Sequence, residues 1–417
     1  MKYHIIILIM CSILAGCAED YIGTYDISET SVELDYKGAP FEVSIEGNST
    51  NWIAECDEEW ISLKHKGRSL IIGAPLFFGT EERKGEIVIK YRGETLDTLN
   101  VCQTGFTMET MEVENTGGTI TYEFPTGDIE EITCDSTWIE VRHAFNEITV
   151  NVAENNYLEP REDFIEVTIN GESHRLIKLT QSETPLTLDD LMLAEVPAGA
   201  YYHGAQAYDS ESIGYDPEAT SIESPVHIVT LDAFKIGKYE VSQKLWQLVM
   251  GYNNSYRKDK DMPVTNITYN EILIFLEKLS SYLNIQFRLP TEWEWEYAAK
   301  EGKSADYTLY SGSDDIESVA WYYTNSFKML NYSGMKVANS LGIFDMTGNV
   351  MEVCDGYYTQ YTSEEKTNPR VESGSLRVTR GGGWNSQRTN CRSTYRFCIN
   401  DDSSENNVGF RIVMPAQ

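Results

Sequence analysis

The chain has 417 residues, 41% hydrophobic and 12% aromatic, which is enough apolar material for packed cores and excludes global disorder. At about one domain per 150 residues, the length predicts two to four domains. Its 33 Lys and Arg against 65 Asp and Glu give a formal net charge of −32, which argues against a nucleic-acid partner and against adhesion to anionic lipid through a basic face.

At the N-terminus, Lys2 precedes an apolar run from Ile5 to Leu14, shorter than the roughly 20 residues that span a bilayer. A basic start, a short apolar middle and the small residues Ala15 and Gly16 describe a secretion signal over residues 1–16. Leu14-Ala15-Gly16-Cys17 resembles the bacterial lipobox. That resemblance implies a lipid on Cys17, residues 17–27 as the linker behind it, and a protein anchored to the membrane without spanning it. The Ala18-Glu19-Asp20 that follows resembles the surface-export signal of some diderm lipoproteins. It implies an outer-membrane lipoprotein exposed at the cell surface. Cys56, Cys102, Cys134, Cys354, Cys391 and Cys398 remain in the mature chain. An oxidising compartment permits disulfides among them, and their pairing is open.

Cys56, Trp60, Arg83 and Gln103 each recur 78 positions later, as Cys134, Trp138, Arg161 and Gln181. Apolar alternation at Ile87, Ile89 and Tyr91 recurs at Ile165, Val167 and Ile169. Period-two alternation buries one face of a strand. Short runs of this kind, punctuated by turn residues such as Gly47-Asn48 and Asn170-Gly171, predict two small β-sandwiches, over 28–105 and 106–183. Trp60-Ile61-Ser62-Leu63 with Val101-Cys102-Gln103, and Trp138-Ile139-Glu140-Val141 with Leu179-Thr180-Gln181, resemble BACON-type domains. Those are immunoglobulin-like sandwiches of bacterial surface and carbohydrate-active proteins. Trp60 and Trp138 open strand-like runs and are expected in the cores, with stacking on a sugar as the other use. Cys102 is matched by Thr180, so a Cys56–Cys102 bridge would not repeat, and buried free thiols are expected.

Beyond Glu183 the pattern turns helical. Thr268-x-x-Glu271 reads as a capping box ahead of Ile272, Leu273, Phe275, Leu276 and Leu279, which share a helical stripe. Thr291-x-x-Glu294 reads as a second, and Gly302 as the stop of its helix. Residues 184–417 are predicted as one mixed α/β domain with few helices, short strands and much irregular chain.

Four segments in this region carry a resemblance. They are Phe287 to Ala299 (FRLPTEWEWEYAA), Gly342 to Val353 (GIFDMTGNVMEV), Arg380 to Asn385 (RGGGWN), and Cys391 to Arg396 (CRSTYR) with Asn407 to Arg411 (NVGFR). Their ordered set resembles the formylglycine-generating-enzyme, or sulfatase-modifying-factor, family. The resemblance implies a C-type-lectin-related fold. In catalytic members two cysteine thiolates hold copper and a substrate cysteine is oxidised with dioxygen. Lectin-like members bind ligands on the C-terminal face instead, so the site decides the function.

For copper, Cys391 and Cys398 are the candidate ligands. Their C-x-x-x-x-x-x-C spacing departs from the family's C-x-x-x-x-C, and Cys354 competes as a disulfide partner for Cys391. Met351, Glu352 and Val353 stand where the family usually has Trp-Glu-Trp, and no His follows His227. For calcium, the resemblance implies Asp345, Gly348, Val350 and Glu352 as ligands, two through carboxylates and two through backbone carbonyls. Arg380, Arg392, Arg396 and Arg411 are expected to pair with buried carboxylates such as Glu294 or Glu296. Residues 385–406 are polar and loop-like. Trp384, Asn385, Arg388, Asn390, Tyr395 and Asn400 are the candidate ligand-binding residues.

The leading expectation is a surface lipoprotein whose sandwiches present a non-catalytic domain to an extracellular glycan or protein ligand. A copper-dependent formylglycine-generating oxidase and a purely structural adhesin component are the alternatives.

Overall fold

A computed structural model describes residues 25–125, 127, 129–302 and 308–416. The signal segment and Cys17 lie outside the described residues. Among the described residues no helix is long and apolar enough to cross a membrane. The chain divides into two compact units. One holds the described residues up to Glu154 together with Arg161–Ser182; the other holds Asn155–Pro160 and the chain from Glu183 onward.

The first unit is all strand. In its first half, Tyr25–Ile27, Phe41–Gly47, Ser69–Gly73 and Ser62–Lys66 form one sheet. Ser31–Leu34, Glu94–Gln103, Arg83–Tyr91 and Ile53–Glu55 form another. Both bury alternate residues in a common core of Val43, Ile45, Leu70, Ile72, Ile87, Ile89 and Leu99. The second half repeats the plan. Glu109–Val113 runs parallel to Glu172–Gln181, as Ser31–Leu34 does to Glu94–Gln103. Its core holds Ile148, Val150, Ile165, Val167 and Leu179. The halves touch: the Tyr36 and Tyr122 hydroxyls are 2.6 Å apart, and the Phe78 ring stacks on His174 at 3.9 Å.

The residues repeating at 78 positions form a single device in each half. Gln103 is fully buried, and its amide nitrogen donates to the carbonyls of Asp35, Tyr36 and Pro75. Its Oε1 accepts from Arg83, whose guanidinium lies 4.4 Å from the Trp60 ring. Gln181 likewise donates to Glu114, Asn115 and Ala153 and accepts from Arg161, which lies 4.3 Å from Trp138. Trp60 and Trp138 are therefore half-buried, with Arg against the ring, and are not central core residues; Trp52 is buried instead. The reason is that each ring is shared between the core it packs against and an arginine whose charged head stays partly solvated. Cys56, Cys102 and Cys134 are free and only half-buried.

Among its described residues the second unit mixes three small sheets with four α-helices. The helices are α1 (Gln243–Met250), α2 (Tyr269–Leu283), α3 (Glu292–Ala299) and α4 (Ile316–Val319). Both expected capping boxes form. The Thr268 side chain accepts the Glu271 N–H, and the Glu271 carboxylate accepts the Thr268 N–H at 2.8 Å. Thr291 and Glu294 do the same for α3. Gly302, in the left-handed region at φ 70°, donates its N–H to Tyr297 beyond the end of α3. Ile272, Phe275, Leu276 and Leu279 of α2 enter a core with Trp246, Phe410 and Ile412, whereas Leu273, expected on the same stripe, is exposed because it lies a residue off the buried face. Replacing Thr268 by Ala is expected to cost about 1 kcal/mol, the usual worth of an N-cap, read as a lowered midpoint in thermal unfolding.

Candidate functional site

Every residue of α3 is buried, including Glu292, Glu294 and Glu296. A buried carboxylate is tolerable only when paired, and each here meets a cation. Glu296 holds the Lys300 ammonium at 2.6 Å, the Arg380 guanidinium and the Gly204 N–H at 2.7 Å. These contacts outweigh burial and hold its carboxyl below the usual range. Arg396 reaches Glu292 at 2.6 Å, and Arg411 grips both oxygens of Glu352 at 2.5 and 2.6 Å. Arg392 pairs with Glu223 and Asp216. The four arginines are thus structural, but Glu294 serves Arg288 at 2.6 Å and none of them. The short sequence separation between Arg288 and its helix start makes that pairing local.

The two cysteines proposed as copper ligands occupy different surroundings. Cys391 is fully buried with Tyr310, Ile316, Val319, Ala320 and Tyr322, and burial pushes its thiol up to about 12. Cys398 is half-buried on the strand Arg396–Ile399 opposite Val378, its thiol also raised by burial. Both are free, as is Cys354, which sits in another apolar cluster, so the Cys354–Cys391 bridge is not formed.

The segment from Asp345 to Glu352 is more suggestive. Asp345 is buried; its Oδ2 accepts the Gly334 N–H at 2.6 Å, and its Oδ1 has no hydrogen-bond partner among the described residues. Burial pushes its carboxyl up to about 6. Glu240, which the sequence reading missed, is buried beside it; burial and the Asp345 and Glu352 charges hold its carboxyl well above the usual range. Gly348 is needed for its φ of 82° and because a Cβ would lie 2.3 Å from the Trp321 carbonyl oxygen. Among the described residues no group of three or more His, Cys, Asp or Glu is arranged to hold a metal ion. A calcium site here would therefore draw on the carbonyls of Gly348 and Val350 beside the two carboxylates. The bare Asp345 oxygen fits such an ion. The Glu352 Oε1 accepts one hydrogen bond, from Arg411, and retains a lone pair.

Asn349 connects this segment to the surface. Its side chain donates to Glu240 at 3.0 Å and accepts the Asn331 N–H, while its carbonyl accepts the Trp384 N–H at 2.7 Å. Trp384 rests on Met262, Leu330 and Val350. Ser326 donates to the Trp384 carbonyl at 2.7 Å, and the Tyr323 N–H donates to Ser386. Around these ties Tyr323, Phe327 and Met329 stand exposed at 47%, 78% and 42%. Phe327 and Lys328 both hold φ of 59°, a conformation bulky residues keep only where their surroundings impose it.

The six candidate ligand residues divide accordingly. Trp384 and exposed Asn385 join the patch, with Asn385 accepting from Asn407 at 2.8 Å. Arg388 and Asn390 sit on the short helical turn Arg388–Cys391, where Arg388 pairs with Glu218. Tyr395 is half-buried near Arg392, and Asn400 is exposed after the strand Arg396–Ile399. The sequence reading overlooked Tyr323, Phe327 and Met329. It also overlooked His203 and His227, which strand pairing places opposite each other.

The family model for the sulfatase-modifying factor enzyme 1-like domain matches residues 180–416, and that for BACON, a putative binding domain, matches 128–182. The chaperone protein LppX of Paenibacillus barcinonensis is 28% identical over 275 residues, 54% of this chain and 89% of that protein. The formylglycine-generating enzyme of Mus musculus is 25% identical over 304 residues, 56% of this chain and 77% of the enzyme. The solved structure of Treponema denticola variable protein 1 shares 28% identity, with a TM-score of 0.48, over 54% of this chain and 95% of that one. The family model covers more than half of the chain, which therefore belongs to the sulfatase-modifying factor enzyme 1-like domain family.

Proposed function

We propose that this protein is an outer-membrane lipoprotein, anchored through Cys17 after removal of residues 1–16. In this reading the immunoglobulin-like modules over 28–105 and 106–183 are spacers, and the domain over 184–417 binds an extracellular glycan or glycoprotein without catalysis. The observation that carries the reading is the exposed aromatic and apolar patch of Tyr323, Phe327 and Met329 tied to Trp384. Such a patch on a strongly acidic surface marks a binding face. The separate surroundings of Cys391 and Cys398 support binding over copper chemistry, as does likeness to a protein named a chaperone. A glycan and glycoprotein array tests it. The expected result is a ligand class bound by the full chain and lost at least tenfold in Trp384→Ala and Phe327→Ala, with folding intact. An array that stays blank would favour the structural adhesin component.

Calcium belongs to the same proposal. An ion held by Asp345, Glu352 and the carbonyls of Gly348 and Val350 would offset the buried Asp345 and Glu240 charges, Glu352 already being paired with Arg411, and, through Asn349, fix the patch. Calcium in large excess is expected to raise the thermal midpoint relative to chelator, by about 2–3 kcal/mol of stabilisation at 100 times its dissociation constant. Asp345→Ala is expected to abolish that difference. An equal midpoint with calcium and with chelator would remove the calcium assignment.

A further inference from the structure

Outside the patch and the acidic segment, the strands Gly199–His203 and His227–Leu231 pair antiparallel with His203 directly opposite His227. Both side chains are buried, with ring centroids 5.2 Å apart. Both Nε2 atoms are shielded from solvent and have no hydrogen-bond partner among the described residues. The Nδ1 atoms, by contrast, are anchored. That of His227 lies 3.0 Å from the Pro225 carbonyl, which can only accept. That of His203 lies 2.7 Å from the Tyr201 hydroxyl and 3.4 Å from Glu296 Oε2. The Tyr201 hydroxyl already donates its proton to the Trp293 carbonyl at 2.7 Å. Each Nδ1 is therefore the protonated nitrogen, and each Nε2 presents a bare lone pair.

We propose that His203 and His227 together form a binding site for a first-row divalent transition metal such as zinc, held through both Nε2 atoms. Ligating histidines characteristically donate their other ring N–H to a carboxylate or a backbone carbonyl. Here one does each. Two imidazoles bound through Nε2 at roughly 2.0–2.1 Å to one tetrahedral ion have centroids about 5 Å apart, which the observed separation matches. Burial keeps both rings neutral, the form that binds metal. Of the cations near His203, Arg380 and Lys300 share Glu296, and Arg396 pairs with Glu292. No further His, Cys, Asp or Glu completes the set among the described residues. The remaining positions fall to water or to a ligand in the adjoining cavity of about 340 Å³, which His227 lines with Tyr202, Tyr208, Gln206 and Glu365.

The test titrates the full chain, calcium-saturated, with zinc and with cobalt. One equivalent is expected to bind, with cobalt giving visible bands of nitrogen coordination. His227→Gln on the cavity wall is expected to weaken binding at least tenfold with circular dichroism unchanged, and His203→Gln to do the same. In the wild type, zinc is expected to shift the imidazole NMR signals of both residues, a readout that stands even if His203→Gln does not fold. Binding that survives His227→Gln, or zinc that leaves both imidazole signals in place, would overturn the site.

Discussion

Glu296→Ala is expected to lower the midpoint of the C-terminal unit by roughly 6–20 °C. The substitution removes the carboxylate that Lys300 meets at 2.6 Å and the closest one to Arg380 among the described residues, both cations being fully buried. Breaking a buried pair by deleting one partner costs about 3–5 kcal/mol, because a desolvated charge is left behind. Here Lys300 and Arg380 both lose their nearest carboxylate among the described residues, and a transition in a unit of this size moves by about 2–4 °C per kcal/mol. The Gly204 N–H also loses its acceptor. Differential scanning calorimetry reads the shift. A loss under about 1 kcal/mol would mean that water reaches the site and that α3 is not the ionic centre of the domain.

The second large effect falls in the strand-rich unit. Gln181→Ala removes a buried amide that serves three backbone carbonyls and the Arg161 guanidinium. The Glu114 and Ala153 carbonyls keep the Gly117 N–H and Arg161 as donors, so the loss is that of the hydrogen bonds themselves, about 0.5–1.5 kcal/mol net each, and a total of about 2–4 kcal/mol is expected. Gln103→Ala strips the equivalent contacts in the first half. Denaturant unfolding of the two variants should show comparable losses in separate halves. A neutral Gln103→Ala beside a severe Gln181→Ala would mean that the repeated residues no longer share a role.

The legible features of this chain were local or periodic. Thr268 with Glu271 and Thr291 with Glu294 declare helix starts within four residues, and both boxes form. The 78-residue recurrence of Trp, Arg and Gln exposed a repeat, and those residues meet in each half. Its physical use was not legible, because the carbonyls that Gln103 and Gln181 bridge carry no sequence signature. Long-range placement was the other blind spot. Glu240 joins Asp345, and His203 meets His227, only through strand register and loop packing. Tyr323 and Phe327 carry no spacing signal of a site; Ser326 and the Tyr323 N–H tie that loop to Trp384 and Ser386. Of the six candidate ligand residues, spacing alone could not separate Trp384 and Asn385, on the patch, from Arg388, held by Glu218.

The most direct test of a binding domain without redox chemistry is to load the full chain with copper and incubate it, with reductant and dioxygen, with a cysteine peptide of the sulfatase type. Mass spectrometry is expected to return the peptide with its cysteine intact after many hours. An aldehyde at the cysteine position, formed in multiple turnovers and lost in Cys391→Ser, would contradict the account.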